Sequence, residues 1–87
     1  MDARRLQGLR DQHALGLLRL RRSAERLRAA AEAEGRKRDA GKMATQLRSL
    51  EKDIAKFGVE AYATARGLVL EPYDESEIEI VRAAVTR

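Results

Sequence analysis

Two apolar series, each stepping by three and four residues, lie in mirror image about position 37. The first is Leu6, Leu9, His13, Leu17, Leu20, Ala24, Leu27 and Ala31; the second is Met43, Leu47, Leu50, Ile54, Phe57, Ala61, Ala65 and Leu68. Such spacing puts the members of each series on one stripe of an α-helix. They cannot share a single helix, because continuing the first beyond Ala31 puts Arg38 on the stripe and leaves Met43 out of phase. Folding the chain back at Lys37 pairs residues equidistant from that point: Ala31 with Met43, Leu27 with Leu47, Ala24 with Leu50, Leu20 with Ile54, Leu17 with Phe57, His13 with Ala61, Leu9 with Ala65 and Leu6 with Leu68. Several pairs set a small residue against a large one, as interdigitating layers require. Gly16 and Gly58 also fall level, which predicts a close backbone approach there.

The turn lies in "EGRKRDAG", with Gly35 as the residue after the first helix and Asp39 as a cap of the second. Gly67 and Pro72 end the second helix. "YDESEIEIVRAAVTR" then reads as a third short helix, with Asp74 or Ser76 as cap and Ile78, Val81 and Val85 as its apolar face. The alternation in "EIEIV" also fits a strand. The expected fold is all-α: an antiparallel coiled-coil helical hairpin with a short C-terminal third helix, in one domain spanning 1–87. Its parts are helix 1 at about 2–34, a turn at 35–39, helix 2 at about 40–66, a linker at 67–73 and helix 3 at about 74–86. At roughly 1.5 Å per residue the arms are about 45 Å long.

Composition agrees with long helices rather than a broad globular core: 37% of residues are charged and 3% aromatic. The absence of cysteine excludes a disulfide framework and thiol chemistry. The longest uncharged stretch near the N-terminus, Gln12 to Leu18, is too short for a membrane span or a signal peptide, and a cytoplasmic protein is expected. The net charge of +4 hides a gradient, with +6 in residues 1–38, +1 in 39–70 and −3 in 71–87.

Leu15 and Leu18 lie off the stripe of the first helix. Ala14 and Leu18 share a side with Ala55, Val59 and Tyr62, where the third helix is expected to cover Leu18. Leu15, with Ala29 and Ala33 on the far face, has no place in the monomer. Leu15, Leu18, Ala29 and Ala33 are therefore the candidate partner or dimer interface, through which two hairpins form a four-helix bundle.

Little points to chemistry. His13 is the one histidine, and within the stripe it reads as a register-setting or space-filling residue. No glycine loop has the phosphate-binding pattern, the acidic run near the C-terminus does not match a calcium loop, and neither a cofactor nor a metal is expected. One long helix followed by two shorter ones is similar in layout to the AroQ-type chorismate mutases, but the cations do not fall at that family's spacing. Arg19, Arg22 and Arg26 form a stripe leading to Arg36, Lys37 and Arg38 at the turn, and these are the candidate nucleic-acid contacts. Interrupting acids at Glu25, Glu32 and Glu34 allow helical ion pairs such as Arg21–Glu25 and Arg28–Glu32. The expectation is a non-enzymatic interaction module or accessory subunit that self-associates or binds a protein partner; the alternative is a hairpin reading a nucleic-acid backbone.

Overall fold

A computed structural model of the chain describes residues 2–72. These form three helices, α1 (Ala3–Ala33), α2 (Lys37–Lys56) and α3 (Val59–Arg66), and no strand among the described residues. The fold is an all-α hairpin, with α2 packed along α1 and α3 on the N-terminal half of α1. The third helix expected at 74–86 lies outside the described residues.

Each boundary has a local cause. The Asp2 side chain accepts a 3.1 Å hydrogen bond from the Arg4 amide and caps α1. At the other end Gly35, at φ 73°, turns the chain while its amide bonds the Glu32 carbonyl and the Arg36 amide bonds the Ala31 carbonyl. That pair is a Schellman motif, and only glycine adopts the left-handed conformation without steric cost. α2 begins sooner than the sequence suggests. Asp39 lies within its first turn instead of capping it, and there it accepts a 2.8 Å hydrogen bond from Arg36 Nη1.

Near the turn the mirrored register holds. Ala24, Leu27 and Ala31 of α1 and Met43 and Leu47 of α2 are buried, joined by Ala40 and Ser23. Toward the open end it fails. The second helix does not run unbroken to residue 66: it stops at Lys56, passes through Phe57 and Gly58, and restarts as α3 at Val59. Gly58 has φ 60°, the left-handed conformation found also at Gly35 and Gly67. Its amide bonds the Ala55 carbonyl, ending α2, and its carbonyl accepts from the Tyr62 amide, opening α3. The expected close approach of Gly16 and Gly58 is absent, since a Cβ built on either would meet no atom within 4 Å.

The elbow has a packing reason. A straight helix would bring Phe57, Ala61 and Ala65 onto α1, and two of these are alanines with little surface to bury. The bent chain instead buries Val59 and Ala63, and packs Tyr62, Leu17, Leu18 and Leu68 around Ala14, Ile54 and Val59. Full burial of a valine contributes about 1.5–3 kcal/mol, more than an alanine can. The stripe that sequence spacing put beside the seam, Ala14 and Leu18 facing Val59 and Tyr62, is therefore the working core of the open end.

Candidate interaction surface

The elbow has two consequences: it clamps α3 to one side of α1, and it uncovers another side. The clamp is polar. Tyr62 Oη donates to Asp11 Oδ1 at 2.7 Å, while Arg66 grips the same carboxylate through Nε to Oδ1 at 3.2 Å and Nη2 to Oδ2 at 2.9 Å. Tyr62 and Arg66 are four residues apart and so share a face of α3, and Asp11 stands one turn before Ala14 on α1. The Arg66 guanidinium, followed by the Tyr62 hydroxyl, holds the Asp11 carboxyl below its ordinary range. The same hydrogen bond pushes the Tyr62 phenol up, and the carboxylate raises Arg66. A further contact, Arg21 Nη1 to Glu60 Oε1 at 2.7 Å, ties the start of α3 to α1.

Because α3 is held on the Asp11–Ala14 side, no helix among the described residues covers the N-terminal part of the original stripe of α1. Leu6 is 42% exposed, Leu9 54%, Leu20 45% and Phe57 59%, although all four belong to the two mirrored series. His13 is exposed and meets the Phe57 ring edge-on, with ring centroids 6.0 Å apart. It fills no seam opposite Ala61, which is itself exposed. Between α1 and the elbow runs an open groove of about 480 Å³, lined by Leu6, Leu9, Arg10, His13, Ala14, Phe57, Val59 and Tyr62. Lys56 Nζ lies 5.6 Å from the Phe57 ring centroid, a cation over the aromatic face at the rim.

The residues selected from sequence are not brought together as one site. Leu18 is engaged by the monomer's own core, packed on Ala14, Ile54 and Val59, and the later helix expected to cover it lies outside the described residues. Leu15 is half-buried, while Ala29 and Ala33 are exposed. Arg22 Nη1 donates to the Glu71 carbonyl at 2.6 Å, anchoring the segment after α3 on α1. Arg36 belongs to the turn, donating to Glu34 at 2.6 Å and Asp39 at 2.8 Å, and these two acids raise its pKa, Asp39 the more. Arg26, Lys37 and Arg38 are exposed and Arg19 is half-buried. Arg28 and Glu32 form the expected helical pair at 3.1 Å. The groove and the Asp11–Tyr62–Arg66 clamp were not singled out from sequence. The signals were present in part, since Tyr62 stood in the off-seam stripe and Asp11 lies three residues before Ala14 and seven before Leu18.

Among the described residues no three His, Asp or Glu side chains gather as a metal site, and no helix is long and apolar enough to cross a membrane. No family model, curated protein or solved structure matches the chain.

Proposed function

We propose that the chain is a non-enzymatic helical interaction module that offers the open end of its hairpin to another helix. One observation carries this reading: Leu6, Leu9 and Phe57, between 42% and 59% exposed, line one open groove, and Leu20, 45% exposed, continues the same stripe of α1. Leaving a large apolar side chain in water forgoes up to about 1.5–3 kcal/mol of burial. Contiguous apolar patches on small proteins mark interaction sites, whereas scattered single leucines do not. An amphipathic helix laid in a groove is the recognition mode that this shape suits.

The nucleic-acid alternative draws on Lys37 and Arg38 at the exposed turn, but Arg36 beside them is engaged by Glu34 and Asp39. The test compares wild type with Leu9→Glu and Phe57→Glu for solution mass by light scattering and for capture of heptad-patterned helical peptides. The module reading expects association in wild type, lost in both variants, with helical circular dichroism unchanged. A chain that neither self-associates nor captures any helix contradicts it. Salt-dependent retention on DNA, abolished by Arg22→Glu with Arg26→Glu, would favour the alternative.

A further inference from the structure

Resting on that reading, the charges around the uncovered stripe specify its occupant. At about 100° per residue, Leu6, Leu9, His13 and Leu20 span one band of α1, with Arg5 about 40° outside it on one side and Arg10 about 40° outside on the other. Both arginines are exposed, and neither side chain forms an ion pair or hydrogen bond among the described residues. Arg10 also lines the groove, and Lys56 lies over the ring of Phe57, which lines it too. Positions flanking an apolar helical seam set partner choice, because their charges meet the flanking charges of the opposing helix. We infer that the occupant is an amphipathic helix of a partner protein with acidic residues on both sides of its apolar ridge.

Two other occupants fit less well. In a second copy packed through the same stripe, Arg5 and Arg10 would meet a helix whose residues 2–22 carry six arginines against two aspartates. Like charges at those positions cost affinity. The chain's own residues 73–87 lie outside the described residues, and the last described anchor before them, Arg22 on the Glu71 carbonyl, lies about 170° around α1 from the middle of the stripe. From Leu6 to Leu20 the stripe is about 21 Å long, so the docked portion is about four helical turns.

The experiment uses the full chain and two synthetic helical peptides with the same leucine ridge, one flanked by glutamate and one by lysine. Isothermal titration is expected to give at least about tenfold tighter binding of the glutamate peptide, with a preference that shrinks as salt rises. Arg5→Glu with Arg10→Glu changes exposed residues only and is expected to reverse the preference. Equal binding of both peptides by wild type overturns the acidic-partner inference while leaving the module reading intact. A wild-type dimer that Leu9→Glu converts to monomer also overturns it, by making a second copy the occupant. Binding of neither peptide by a monomeric wild type removes both.

Discussion

Tyr62 Oη and Asp11 Oδ1 meet at 2.7 Å across 51 positions of sequence, and Arg66 closes on the same carboxylate. This contact, together with burial of Val59 and Ala63, holds α3 on the Asp11 side of α1. Its pH dependence follows from the directions of the shifts. Asp11 is depressed in the fold, so its contribution is complete above the ordinary carboxylate value, about 4, and is lost as pH falls through the depressed value. Tyr62 is raised, so its contribution is complete below about 10 and is lost as pH climbs through the raised value. Thermal unfolding of wild type is therefore expected to show an acid limb below about pH 4 that Asp11→Asn flattens. An unchanged acid limb in that variant would show that the clamp contributes nothing.

The three left-handed glycines separate sharply from a helical one. Gly58 at φ 60° is expected to resist substitution, with Gly58→Ala costing about 1–2 kcal/mol. Gly41 sits inside α2 with no atom within 4 Å of a built Cβ, and Gly41→Ala is expected to stabilise by about 0.4–1 kcal/mol. Urea unfolding of the two variants checks the contrast. Stabilisation by Gly58→Ala would mean that the elbow straightens.

Pairs that are equivalent in the mirrored series are not equivalent in the fold. Ile54 is 3% exposed and packs on Ala14 and Val59, whereas its mirror partner Leu20 is 45% exposed. Ile54→Ala is expected to cost about 2–5 kcal/mol and Leu20→Ala no more than about 0.5 kcal/mol. Equal losses, measured by denaturant titration, would restore the continuous seam.

The turn-proximal half of the fold was legible from spacing alone, because Ala24, Leu27, Ala31, Met43 and Leu47 agree in period, size and burial. The open half was not, and Gly58 shows why. A glycine inside an apolar period reads equally as a helical residue that permits close packing or as the left-handed end of a helix, and only the burial available on each side decides. Here a straight continuation presents Ala61 and Ala65 to α1, while the bend buries Val59 and Ala63 and lets Tyr62 and Arg66 reach Asp11. The exposed surface escaped sequence reasoning for the same reason: Leu6, Leu9 and Phe57 look like core residues until the helix meant to cover them turns away. Leu18 already packs on Ala14, Ile54 and Val59 within the described residues.

Turn chemistry yields a smaller prediction. Arg36 bridges Glu34, before the turn, and Asp39, after it, and Gly35 supplies the backbone reversal between them. Gly35→Val is expected to lower the melting temperature more than Arg36→Ala, because a β-branched residue at φ 73° is strained whereas an exposed ion pair contributes little. Thermal scans of the two variants decide the order.

Where α3 packs decides whether the apolar stripe of α1 is exposed. Nuclear Overhauser contacts in the isotope-labelled chain test that placement. The elbow predicts contacts from the Ala14 methyl to the Val59 methyls, and none from Leu9 to Ala65. Strong Leu9–Ala65 and His13–Ala61 contacts without the Ala14–Val59 contact would show a continuous second helix. They would put the apolar stripe back inside the hairpin and remove the surface on which the proposed function rests.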